Sequence, residues 1–231
     1  MSHPAAFPRM RLATSTGLII IALAVAPPRT VHAQAWSYPS FQQPRIAARE
    51  FNFGVADAGS TSLIFQWRES VSARSQLSLD VGFADPDGNN NDDFLLFGGQ
   101  FAAMLNESRP DLPLAFLLTA GINLAVSGDG NLFRVPIGIS LGHRFPLEQG
   151  MAVTPYIHPR LSFDNCSECD RDNESRSEVG IDFDLGVNVD INPSLAFRVS
   201  AFFGGSELLG NDDGFGLSLA WSPRGLSRLR R

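Results

Sequence analysis

The side chains that could carry chemistry are few. Beyond residue 35 the chain keeps two histidines, His143 and His158, and its two cysteines, Cys166 and Cys169. His158 lies in an alternating stretch, Val153–Phe163, which the loop Asn165–Arg176 connects to a second one, Ser177–Ile191. A simple antiparallel hairpin there sets His158 opposite Asp184 and Arg160 opposite Asp182. Ser140 would lie across from His158 on the other side. A base oriented by a carboxylate and facing a hydroxyl is the minimal set for acyl transfer. No G-x-S-x-G or H-E-x-x-H run accompanies it, so the trio Ser140, His158 and Asp184 rests on strand pairing alone.

Two further groupings suggest binding rather than catalysis. Cys166 and Cys169 form a lone C-x-x-C in an acidic loop, Asp164 to Glu174; without a second pair or a nearby histidine, a loop-clamping disulfide is expected rather than zinc. The turn Asp85–Asp93 is rich in oxygen ligands that could take calcium, yet it lacks the spacing and closing glutamate of an EF-hand loop. No resident cofactor or metal is therefore expected. Asn165-Cys-Ser is a glycosylation sequon only in a source that glycosylates.

Charge limits the partners. All 18 basic residues are arginine, set against 24 acids, and the pI is near 5.2. An acidic, lysine-free chain lacks the clustered positive charge that nucleic acid or an anionic surface needs. Arg9 and Arg11, the apolar run Gly17–Ala26, and Ala33 and Ala35 have the form of a secretory signal peptide over residues 1–35. Its ten apolar residues are too few for a membrane-spanning helix, which takes about 20. Cleavage after Ala33 or Ala35 leaves 15 arginines against the same 24 acids, a net charge of −9. The product is exported and more acidic than the whole chain.

These groups are positioned by segments of period two. From Val179 to Ile191 every second residue is apolar, while Gly180, Asp182, Asp184, Gly186, Asn188 and Asp190 take the other face. Similar alternation recurs from Phe51 to Trp221 and predicts about ten strands, with eight as the lower bound. Short turns are expected at Glu69–Arg74, Asn106–Pro113, Pro146–Gly150 and Asn192–Ser194. The opposite end takes a tight turn near Ala58–Ser60 and loops at Asp85–Asp92, Ser127–Asn131, Asn165–Arg176 and Gly204–Asp213. Long loops at one end, short turns at the other and an even strand number give an all-β, antiparallel, up-and-down transmembrane barrel. The 12-residue strands exceed the usual five or six of globular sheets. Glycines on the polar face suit a narrow interior. Pro136, Pro155 and Pro159 fall inside predicted strands and lead us to expect bulges.

Inward parity then gathers Arg68, Arg134, Arg144, Arg160 and Arg198 with Glu50, Asp80, Glu178, Asp182, Asp184 and Asp190. Opposite charges in nearly equal number inside so small a barrel would pair and fill the lumen. A narrow solute or ion path is the next reading, and catalysis at His158 the one after it.

On signal peptide, strand pattern and loop asymmetry, residues 49–221 resemble the small bacterial outer-membrane β-barrel proteins, the broad porin-like family. The resemblance implies an outer-membrane location, lipid and lipopolysaccharide as surroundings, and assembly machinery that reads a terminal aromatic residue, here Trp221. Residues 36–48 would be an N-terminal periplasmic segment and residues 222–231, with Arg224, Arg228, Arg230 and Arg231, a basic periplasmic tail. The function expected is that of a non-enzymatic structural or narrow porin-like barrel. The alternatives are an outer-membrane hydrolase using His158 and a soluble periplasmic ligand-binding barrel.

Overall fold

The computed structural model describes residues 38–86, 93–127, 130–167, 175–206, 208 and 213–223. The expected signal peptide, Cys169, most of the Asp85–Asp93 turn and the four arginines of the basic tail lie outside them.

Ten long strands follow one another as antiparallel neighbours: β1 (Arg49–Asp57), β2 (Ser60–Ser72), β3 (Ser75–Pro86), β4 (Phe94–Asn106), β5 (Ala115–Val126), β6 (Asn131–Gly142), β8 (Ala152–Ser167), β9 (Arg176–Asn192), β10 (Leu195–Phe203) and β11 (Gly214–Trp221). A two-residue strand, β7 (Phe145–Pro146), pairs with the start of β8. The pairing of β1 with β11 closes the sheet, from Phe51 opposite Trp221 to Asp57 opposite Phe215. The chain is therefore a closed ten-stranded barrel, and closure leaves no strand edge without a ladder partner.

Alternation dictates which way each side chain points. Along β9, Ile181 and Val179 are 70% and 61% exposed, whereas Asp182, Asp184 and Asn188 are fully buried. The other long strands follow suit, so the outside is a belt of Leu, Ile, Val and Phe and the inside is polar. This inverts the arrangement of a water-soluble protein, whose apolar side chains are the buried ones.

The three strand prolines do not produce bulges. Pairing of β5 with β6 omits the residues around Pro136 but keeps its register on both sides, from Ala120–Ile137 to Asn123–Arg134. The β6–β8 ladder likewise skips the level of Pro159 and resumes in register at Leu141–Ile157. Pro155 and Pro159 stay aligned with Val187 and Phe183 on β9. A missing donor here removes a rung without inserting a residue. Register shifts occur instead near turn-end strand termini, at Ser70–Ser72, Met104–Asn106 and Leu195–Ala196.

A second departure concerns the N-terminal segment expected to hang outside the barrel. It enters from the turn end, where β1 begins, and runs up through the lumen. Tyr38, Phe41, Gln42, Gln43 and Ala47 are all buried. Tyr38 and Phe41 pack with Ile64, Leu96 and Leu132 in an apolar layer beneath the loop end. Nearer the turn end Ile46 packs on Ala102, Met104 and Leu117.

Candidate functional site

Between those two apolar layers lies the polar interior. The hairpin register places Arg160 opposite Asp182 and His158 opposite Asp184, and β6 sets Gly138 beside Arg160 and Gly142 beside Tyr156. Glycine is needed at Gly138 because an added Cβ would lie 2.6 Å from both the Arg160 side chain and a backbone oxygen.

The buried charges form three groups. In the first, Glu50 accepts from Arg68 at 2.9 Å and from both terminal nitrogens of Arg198 at 2.9 and 2.7 Å. Nε of Arg198 donates to Asn188, which in turn donates to Asp190. In the second, Arg134 pairs with Asp182 and, at 3.2 Å, with Asp164, while donating to Ser162. The third joins Arg160 to Asp184 at 2.8 Å, with the guanidinium over the Phe202 ring. Ions this deep are tolerable only when each is paired and hydrogen-bonded.

Two of the other charges expected inside stand at the mouths. Arg144 is half exposed at the turn end, where it and Arg45 both reach Asp190. Glu178 accepts from the backbone N–H of Leu208 near the loop end. Asp80 is half-buried and accepts from Gln66 at 3.3 Å rather than from an arginine. Its second oxygen, without a hydrogen-bond partner, borders a cavity of about 30 Å³ lined also by Gln100, Thr119 and Asn123. That is room for water and little else.

Asp164 and Arg45 complete the charge set and were not singled out from the sequence. Asp164 shares the inward parity of Arg160 and Ser162, a signal obscured by the acidic run that follows it. Arg45 gave no signal, because its segment has no periodicity.

The proposed trio is replaced by another arrangement. Ser140 donates to the Gln42 carbonyl at 2.6 Å and faces the inserted segment. Ser40, from that segment, takes the place beside His158: its hydroxyl donates to Asp184 at 2.5 Å and lies 2.7 Å from Nδ1 of the ring. Thr119 Oγ1 is 2.9 Å from Nε2. Since the single Ser40 proton goes to Asp184, Nδ1 carries the ring hydrogen and Nε2 accepts from Thr119. Serine and carboxylate thus share one side of the imidazole, and no proton path runs from the serine through the ring to the acid. His158 and Asp184 are fully buried, and the cavity that His158 borders has a volume of only about 30 Å³. His143 stands at the turn end, edge-on to Phe145 and in contact with the Pro113 carbonyl.

Cys166 is disulfide-bonded and buried in the apolar layer under the loops. No cluster of three metal-ligating side chains occurs among the described residues.

No family model matches the chain, and no curated protein matches it. Among solved structures, a KdgM porin superposes with a TM-score of 0.40 at 8% identity, covering 76% of this chain and 99% of that one. A KdgM porin in complex with disordered oligogalacturonate gives 0.39 at 7% identity over the same shares.

Proposed function

We propose that the protein is an integral outer-membrane barrel, exported by its N-terminal signal, that acts as a structural or narrow porin-like element with a largely filled lumen. One observation carries this reading: the apolar side chains point outward around the closed wall while arginines and carboxylates are sealed inside. A lipid surrounding stabilises that outer face, and internal pairing satisfies the charges. A soluble ligand-binding barrel would need the opposite arrangement. A hydrolase would need an accessible nucleophile, whereas Ser40 is engaged with Asp184, Thr119 with the His158 ring and Ser140 with the Gln42 carbonyl.

Lipid and lipopolysaccharide would contact the belt, and assembly machinery would insert the barrel. Gln66, Asp80, Gln100 and Asn123 mark where a small solute or ion would pass if the lumen opened. Cell fractionation with heat-modifiable gel mobility tests the proposal. The expected result is a membrane-bound, heat-modifiable band; a product soluble without detergent overturns it. In planar bilayers the intact protein is expected to be closed.

A further inference from the structure

The inserted segment is held in the manner of a bound peptide. Arg68 donates to two consecutive carbonyls, Ser40 at 3.0 Å and Phe41 at 3.2 Å, and Gln66 also reaches Ser40 at 3.3 Å. Ser140 takes the Gln42 carbonyl, Asp184 the Ser40 N–H and Gln76 the Ala47 N–H. These contacts read backbone groups, so they would accept many sequences in a chain that follows the same path. Selectivity comes from Phe41, whose fully buried ring lies over Gly54 and Gly216. A Cβ at those glycines would come within 3.0 and 2.6 Å of the ring, so only glycine leaves the notch open.

Two observations separate this segment from the wall. Phe41 has φ of 51°, a left-handed conformation that is strained for a non-glycine residue and that leaving the lumen would relieve. A vestibule of about 710 Å³ also flanks the segment at the turn end, lined by Pro44, Ile46, Ser70, Met104 and Thr154. The segment's lower half therefore fills the barrel incompletely.

We infer that the barrel interior is a binding site for a peptide with an aromatic anchor, bent at that anchor, and that it is occupied here by the chain's own residues 38–47. The inference rests on the membrane-barrel reading. It gives the lumen two states, closed when the aromatic anchor occupies the Gly54–Gly216 notch and open when it leaves. The partner chemistry is a peptide main chain presented from the turn side with a phenylalanine for the notch.

The test uses full-length variants in planar bilayers and a synthetic peptide spanning residues 36–48, added on the turn side. Phe41→Ala, which removes the anchor, is expected to gain a unitary conductance that the wild type lacks. The peptide is expected to close it again, and a peptide with alanine for Phe41 is expected to have no effect. Gly216→Val, which fills the notch from the wall, is expected to open the barrel and to be insensitive to the peptide. A folded variant that stays closed, a Phe41→Ala barrel left open by the peptide, or a conducting wild type overturns the inference. So does failure of both variants to fold, because a detachable ligand is not an obligatory part of the core. Loss of the membrane-barrel reading itself would show separately, as wild-type protein in the soluble fraction.

Discussion

Two sectors of the same wall carry different interiors. From β8 through β11 to β1 and β2 the inward positions hold Arg160, Asp164, Asp182, Asp184, Arg198, Glu50 and Arg68, all buried and paired or hydrogen-bonded. Across β3, β4 and β5 the middle level holds Asp80, Gly82, Gly98, Gln100, Gly121 and Asn123, all half-buried, with Asp80, Gln100, Gly121 and Asn123 around a small cavity. The outward faces of both sectors are alike. Alternation governs membership of the wall, while the inward residue type decides whether a stretch of lumen is sealed by ion pairs or left for water. The inserted segment is bonded to both but reaches its main ion-paired partners, Arg68 and Asp184, in the first sector.

The largest effect that would break this contrast is expected from Glu50→Ala. It leaves the buried Arg68 and Arg198 without their shared carboxylate, and losing one partner of a buried pair costs about 3–5 kcal/mol. Urea unfolding of the purified barrel should show a correspondingly lower midpoint. Next comes an outward charge, Leu185→Arg on β9, expected to destabilise by about 2–4 kcal/mol if it meets the bilayer centre. Folding into lipid vesicles followed by denaturant titration measures it, and a negligible loss would argue against lipid at that face. Thr119→Ala, at the border of the two sectors, leaves Nε2 of His158 without its donor. The loss expected from that neutral hydrogen bond is about 1 kcal/mol. Gln100→Ala, in the open sector, should stay within about 0.5 kcal/mol of the wild type by the same titration. A change comparable to that of Glu50→Ala would erase the distinction between sectors. His158→Ala tests chemistry rather than stability: lipid deacylase activity that is present in the wild type and lost in the variant would revive the hydrolase reading.

Much of the wall was legible because strand alternation is a local property. The pattern Val179, Ile181, Phe183, Leu185 set against Gly180, Asp182, Asp184, Gly186 assigns faces without knowledge of any other strand. The connection Asn165–Arg176 then sufficed to align His158 with Asp184 and Arg160 with Asp182. The prolines misled because a lost donor was equated with an inserted residue, whereas the ladders lose rungs and keep register. Strand parity sets Ser140 near His158 but carries no information on a segment threaded between strands. Ser40 was invisible for the same reason. It belongs to a stretch, Tyr38-Pro-Ser-Phe-Gln-Gln-Pro-Arg45, that has neither period two nor a helical repeat and reads as a linker.

By itself, then, the sequence determined the strands, their outward faces, the excess of inward charge and the asymmetry between loops and turns. Each of these is encoded by neighbours a few residues apart. Only the tertiary structure decided the register in which β1 meets β11, that Asp164 joins Arg134, and that residues 38–47 occupy the lumen. Those outcomes join residues separated by as many as 170 positions, as between Phe51 and Trp221. They depend on volume and charge left over once the barrel has closed, quantities that no stretch of the chain carries alone.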